Sequence, residues 1–261
     1  MKAFFVIFSE RVTNKTDQPK TNLIKKATRT YGQKNMKNII TIAFVSLLLT
    51  MQASCQSSNE SNNKAETQAQ NTQTPVEVPT ENGLEKAYFA SGCFWCVEAI
   101  YESVEGVKES ISGYSGGHTE NPTYESSNTG NTGHAEAVEV LYDPNVVSFK
   151  QLVDVYFGSQ NVTQVNGQGP DRGSQYRSII FYQNDTQKKI IENKIAELEK
   201  ELGAGKVAAQ VLPFQKFWVA EAYHQNYERN NPNNPYIQNV YIPRLKRFQK
   251  KFPELLKEDA H

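Results

Sequence analysis

Two cysteines sit one helical turn apart in Gly92-Cys93-Phe94-Trp95-Cys96, with two aromatic side chains between them. A thiol with a second thiol in reach can attack an oxidised atom and then close a disulfide, so the pair points to redox chemistry. The aromatics offer a pocket for an apolar group. Cys93, Cys96, Val97, Ile100, Tyr101 and Val104 form one stripe of a helix, which puts both sulfurs on the same face. Cys93 falls where that helix begins. Free backbone N–H groups and the helix dipole favour negative charge there, so a thiolate is expected at Cys93.

Glu136 is the most telling carboxylate. The alternating stretch His134 to Tyr142 puts it on one strand face with Val138, Val140 and Tyr142. Desolvation there raises its pKa and favours the protonated acid. The other reading is a solvated glutamate at a strand end. Tyr124 and Tyr176 flank loop segments and could donate hydrogen bonds into a site, or simply pack. Asp171, in Gly169-Pro170-Asp171-Arg172-Gly173, could belong to a site or to an ordinary turn. None of the histidines, His118, His134, His224 and His261, has metal-ligand spacing with the cysteines, so no metal is expected. There is no phosphate loop or dinucleotide fingerprint.

These residues need a scaffold. Ala87 to Ala90 reads as a strand before the cysteine helix, and Val107 to Tyr114 as a strand ending in Gly116-Gly117. Residues 118–133 read as loop. Ser148 with Gln151 forms a capping box ahead of the stripe Phe149, Leu152, Val153 and Tyr156. Gly158 to Ser174 reads as a long loop, often a functional feature in a compact domain. Tyr176 to Tyr182 is a strand. Asp185 is expected to cap a helix with Ile191, Ile195, Leu198 and Leu202 facing the core and Gly203 ending it, before a strand from Ala208 to Leu212. Strands alternating with helices indicate a mixed β-sheet flanked by helices. Arg244, Lys246, Arg247, Lys250 and Lys251 alternate with Leu245, Phe248 and Phe252, which reads as the solvated face of a terminal helix. With 28 basic and 28 acidic residues and no basic patch interleaved with aromatics, nucleic-acid binding is not expected.

The N-terminal third has a different character. Residues 1–35 are polar and basic without period, and read as an upstream extension before a start at Met36, or as a long signal n-region. Residues 36–54 carry a charged segment, the apolar run Ile39 to Met51 and small residues, the pattern of a signal peptide. The end resembles a bacterial lipoprotein box with Cys55 as the lipidated residue, although Gln52 stands where Leu is usual; ordinary cleavage leaving Cys55 free is the alternative. Residues 55–82 are rich in Ser, Asn, Gln and Thr and read as a flexible tether, leaving 83–261 as the catalytic domain. The protein is therefore expected to be exported to the cell envelope and anchored to a membrane by lipid.

Several segments together resemble one family. Gly92-Cys93-Phe94-Trp95, Gly113-Tyr114-Ser115-Gly116-Gly117, Asn121-Pro122-Thr123-Tyr124, Thr132-Gly133-His134-Ala135-Glu136-Ala137-Val138, Gln168-Gly169-Pro170-Asp171 and Gln175-Tyr176-Arg177-Ser178 look like the motif set of peptide methionine sulfoxide reductase, type A. The likeness runs on through Ala220-Glu221-Ala222-Tyr223-His224-Gln225 and Asn234-Pro235-Tyr236. It implies an α+β fold: a two-layer sandwich, mixed sheet and flanking helices, around a split βαβ, ferredoxin-like core. It implies that Cys93 attacks the sulfur of methionine S-sulfoxide and becomes a sulfenic acid, that Phe94 and Trp95 hold the methyl group, and that Glu136 protonates the oxygen. Tyr124 and Tyr176 would bond that oxygen and Asp171 would organise the site. The family often has Gly where this chain has Cys96, and many members carry a resolving cysteine near the C-terminus, which this chain lacks; Cys96 then takes the resolving role. Gln160-Asn161 replaces a common His-Asp pair. The resemblance further implies oxidised proteins as substrates, no bound cofactor, a monomer, and reducing equivalents from thioredoxin or a thioredoxin-like protein.

Two other readings start from the same cysteines. A thioredoxin-like disulfide oxidoreductase also uses Cys-x-x-Cys at a helix start, but leaves Glu136 and the tyrosine motifs without a role. A non-enzymatic lipoprotein with a structural Cys93–Cys96 bond gains little, because so short a loop removes little unfolded-state entropy.

Overall fold

The chain threads a split βαβ unit first. The structure, a computed structural model, describes residues 73–258. Strand β1 (Glu85–Ala90) leads into helix α1 (Phe94–Glu102) and strand β2 (Val107–Ser115). Strand β3 (Ala135–Tyr142) then inserts between β1 and β2, antiparallel to both. Helix α3 (Phe149–Gly158) returns the chain to β6 (Ile179–Tyr182), antiparallel to β1. Helix α4 (Asp185–Leu202) precedes β7 (Gln210–Pro213), which lies parallel to β6. With edge strand β8 (Phe217–Val219) on β2, the sheet order is β7-β6-β1-β3-β2-β8. This is the expected α+β, ferredoxin-like arrangement with a mixed sheet.

Local sequence explains the element ends. The Ser148 hydroxyl accepts from the Gln151 N–H while Gln151 reaches back, closing the predicted capping box of α3. Helix α4 starts one residue earlier than expected: Asn184, not Asp185, is the cap, and its side-chain oxygen accepts from the Gln187 N–H at 3.0 Å. Of the four apolar residues expected to face inward, Ile191 is buried, Ile195 and Leu198 pack partly against the core, and Leu202 is exposed. It sits in the final turn before Gly203.

The two predicted loops carry structure. Residues 118–133 contain helix α2 (Tyr124–Asn128), capped by Thr123. The long loop after α3 contains the two-residue strands β4 (Gly167–Gln168) and β5 (Asp171–Arg172), then a 3-10 turn (Ser174–Tyr176), so β6 begins at Ile179 rather than Tyr176. Short hairpins have too few residues for a periodic signal. The C-terminal part adds α5 (Tyr227–Asn230), a π-helical turn (Ile237–Tyr241) and α6 (Ile242–Lys251).

Phe89, Phe94, Val138, Val140, Leu152, Tyr156 and Phe248 are among the buried side chains of the main core. The expected tether does not run to residue 82. The Val76 N–H donates to the Phe214 carbonyl at 2.8 Å, the Val78 N–H donates to Gln183 Oε1 at 2.8 Å, and Val78 packs on the second cluster around Tyr88 and Phe181. Backbone hydrogen bonds and the packing of Val78 dock this stretch, while the Val76 side chain stays exposed. Residues 1–35, the expected signal peptide 36–54, Cys55 and the expected tether as far as residue 72 lie outside the described residues. No helix among the described residues is long and apolar enough to cross a membrane.

Candidate active site

The turn from β1 into α1 presents the cysteines. Gly92 is required there: its φ is +82°, and a Cβ would lie 2.6 Å from the Cβ of Gln168. Cys93 is the N-cap of α1, with φ −54° and ψ 124°, so it is not yet helical. Both cysteines are buried free thiols, and each shifts the other's pKa. The expected same-face placement is found, with Cys93 outside the regular helix.

The charge distribution between the sulfurs differs from the sequence expectation. Burial pushes the Cys93 thiol well above the usual thiol range, and its hydrogen bond to Cys96 and the nearby Glu136 add to the rise. Cys96 is instead lowered, chiefly by the hydrogen bond from Cys93, with the Arg244 cation and Tyr236 helping against burial. The helix start favours an anion, but at Cys93 the removal of water outweighs it. Of the two sulfurs, Cys96 is therefore the more readily ionised.

Glu136 lies on β3 beside this turn. It is 2 % exposed, and the Phe94 N–H donates to its Oε2 at 3.0 Å. Burial raises its pKa to about 8 despite that bond, with Asp171 and Cys96 adding to the rise. Glu136 is buried rather than solvated, as are Val138, Val140 and Tyr142 on the same face, and that burial favours its protonated form.

An aromatic enclosure surrounds the first turn of α1. Phe94 lies 6.2 Å from Trp95, 6.4 Å from Tyr124 and 4.9 Å from His224, ring centre to ring centre. Trp95 stacks on Tyr227 at 3.7 Å, and its indole N–H donates to His224 Nδ1 at 3.2 Å. Tyr124 is held by its N–H, which donates to Glu221 Oε1 at 2.9 Å. Burial raises both Tyr124 and Tyr176, and the charges of Glu136 and Cys93 raise both further, so both phenols lie within electrostatic reach of the acid and the thiol. The Tyr236 hydroxyl donates to Asp171 Oδ2 at 2.6 Å and lies 3.9 Å from Cys96 Sγ. Cys93, Cys96, Phe94, Trp95, Glu136, Tyr124, Tyr176 and Asp171 thus converge. Among the described residues no cluster of His, Cys, Asp and Glu could hold a metal ion.

A family model described as peptide methionine sulfoxide reductase matches residues 85–256. The chain belongs to that family. The peptide methionine sulfoxide reductase MsrA of Pasteurella multocida is 48% identical over 173 residues, 66% of this chain and 99% of that protein. The protein of the same description from Saccharolobus solfataricus is 44% identical over 174 residues, 67% of this chain and 98% of that one. Among solved structures, methionine sulfoxide reductase A of Corynebacterium diphtheriae has a TM-score of 0.53 and 32% identity, covering 62% of this chain and 87% of that one. Reduced Mxr1 of Saccharomyces cerevisiae has a TM-score of 0.54 and 31% identity, covering 62% and 92%. This member of the methionine sulfoxide reductases is an oxidoreductase that reduces methionine sulfoxide in a thiol-dependent reaction.

Four residues of this reductase escaped the sequence reading as site residues. Tyr236 and His224 stood only within matched motifs. Arg244 was grouped with solvated basic residues, yet it is 8% exposed: its guanidinium donates to the Ser91 carbonyl at 3.0 Å, the Ser91 hydroxyl at 3.1 Å and the Ser159 carbonyl at 3.1 Å. Its place one residue before Leu245 in the apolar stripe is the only signal the sequence carries. Glu98, two residues after Cys96, is fully buried; it accepts from the Ser112 hydroxyl and from the Asn226 N–H, and burial raises its pKa to about 7. The Gln160-Asn161 pair joins a network in which Gln160 Oε1 accepts from the Ser178 hydroxyl at 2.7 Å and from Gln168 Nε2 at 3.0 Å.

Proposed function

We propose that Cys93 attacks the sulfur of methionine S-sulfoxide while Glu136 protonates its oxygen. The observation that carries this reading is Glu136 itself, a buried carboxyl raised to about 8 and anchored to the first turn of the cysteine helix. The sulfoxide oxygen is a poor leaving group until protonated, so a positioned acid and a soft nucleophile are both required. Tyr124 and Tyr176 donate to the same oxygen, and the substrate methyl lies against Phe94 and Trp95. Asp171 positions Tyr236 beside Cys96.

Atoms and electrons balance in two steps. As its sulfur bonds to the sulfoxide, Cys93 passes its proton to Cys96, the acceptor already in place. The oxygen transfers to Cys93, giving the thioether and a sulfenic acid; the substrate sulfur gains two electrons and Cys93 loses two. The Cys96 thiol then displaces water from the sulfenic acid and forms the Cys93–Cys96 disulfide. Because Cys93 is an N-cap with non-helical backbone, the bond does not have to span a regular helical turn.

A thioredoxin-like protein is proposed to return the disulfide to two thiols, and the protein is proposed to act as a monomer. The pattern of residues 36–55 supports export and a lipid anchor on Cys55, with oxidised envelope proteins as substrates. The core assignment is tested with a peptide carrying methionine S-sulfoxide and dithiothreitol. The wild type should turn over, and Cys93→Ser, with an unchanged circular dichroism spectrum, should not. Appreciable turnover by that variant would remove Cys93 from the reaction.

A further inference from the structure

A cavity of about 770 Å³ opens over Cys96. Its lining includes Cys96, Tyr236 and Asp171 but neither Cys93 nor Glu136, so it approaches the sulfur pair from the resolving end. Three cations line it, Arg244, Arg247 and Lys251, against the single carboxylate of Asp171. Arg244 is committed to Ser91 and Ser159, whereas Arg247 and Lys251 are exposed and, among the described residues, form no ion pair. Side-chain amides of Gln160, Gln164 and Asn239 line the same space. The volume falls within the range typical of small-molecule sites, about 300–1,000 Å³.

We propose that this cavity binds an anionic low-molecular-weight thiol, one bearing carboxylate groups, and presents it to Cys96, so that the enzyme is recycled without a protein donor. The inference rests on the reading that a Cys93–Cys96 disulfide forms. The bound thiolate attacks Cys96 Sγ, a mixed disulfide forms there, and Cys93 leaves as a thiolate that takes a proton from solvent. A second thiolate attacks the outer sulfur, releasing the small disulfide and the Cys96 thiolate. The two small thiols lose two electrons and the protein disulfide gains them. Leaving-group ability alone favours attack on Cys93, since Cys96 is the more stable anion. The cavity decides the other way: both sulfurs are almost fully buried, but the cavity's lining includes Cys96 and not Cys93. Arg247 and Lys251 pair with the carboxylates at its rim and raise the local concentration of an anion.

The full chain is oxidised with one equivalent of peptide sulfoxide. It is then reduced at low ionic strength by mercaptosuccinate or by the cationic thiol cysteamine, at matched thiolate concentrations. Mercaptosuccinate should react about tenfold faster, a modest degree of electrostatic steering, and peptide mapping of the quenched reaction should place its adduct on Cys96. The double variant Arg247→Glu, Lys251→Glu should reverse the preference. Equal rates, an adduct on Cys93, or a preference that survives the charge reversal would overturn the proposal. Should no disulfide form on oxidation, the recycling reading fails instead, and the cavity is then read separately in Cys93→Ser. There the dianionic alkyl disulfide dithiodiglycolate, whose leaving thiol is the more basic, should still modify Cys96 faster than the dicationic cystamine does, and the reverse order would sink the site.

Discussion

The alkaline side of the reaction's pH profile should belong to Glu136. With a pKa of about 8, its carboxyl is about nine-tenths protonated at pH 7 and about one-tenth at pH 9. Deprotonation removes the donor to the sulfoxide oxygen, so the rate must fall as pH rises through about 8, by about tenfold from pH 7 to 9. The nucleophile opposes this trend if its proton leaves to solvent. Cys93 is raised well above the usual range, and a rate limited by its free ionisation would climb across the same window. Under the proposed mechanism its proton passes to Cys96, the more readily ionised sulfur, so the nucleophile's state is set inside the site and the acid controls the rate. The assay is a quenched single turnover of a peptide sulfoxide, followed from pH 6 to 10. In Glu136→Gln the rate should drop by about 10²–10⁴-fold and the alkaline fall should vanish. Glu98 is the needed control, since burial brings its pKa to about 7. It faces Ser112 and Asn226 rather than the sulfurs, so Glu98→Gln should retain the fall near pH 8. A rate that rises through pH 8, or a fall that survives Glu136→Gln, would refute the assignment of the acid.

The other expectations are structural and chemical. Cys96→Ser should reduce about one equivalent of sulfoxide per enzyme and then stall with a thioredoxin-like donor; full multiple turnover with that donor would show that resolution does not need Cys96. Arg244→Met leaves the Ser91 and Ser159 acceptors without their charged donor, at a cost of about 3 kcal/mol, and should lower Tm by about 6–12 °C. The same change removes a cation that favours the Cys96 anion, so alkylation of Cys96 in a Cys93→Ser background should slow at pH 7; an unchanged rate would separate Arg244 from the thiol. Mass spectrometry of protein from cells should find an acylated N-terminus at Cys55, and a cytosolic chain retaining Met36 would contradict export.

What the sequence discloses about this site follows from what each residue's partners are. The strand of Glu136 and the helix of the cysteines are legible because their periods are long enough to read. The alternation about Glu136 predicts desolvation, and burial does raise the group. The stripe from Cys93 to Val104 predicts two sulfurs on one face, and each shifts the other's pKa. Cys93 shows where local reasoning stops. The helix start is a local property and argues for a thiolate, whereas the water is removed by β3 and by side chains distant in the chain, and their effect is larger. Arg244 fails for the same reason. In a window of basic residues at helical spacing it looks solvated, and only contact with Ser91, distant in sequence, reveals that it is buried. The hairpin that carries Asp171 is two residues per strand, shorter than any periodic signal, and it is fixed by pairing of Gln168 with Asp171. Identity of the reacting groups is thus written in short motifs, while the location of their protons is set by long-range packing. That division explains why the pH profile is the sharper test: motifs alone favour ionisation of Cys93, whereas the folded arrangement favours that of Cys96.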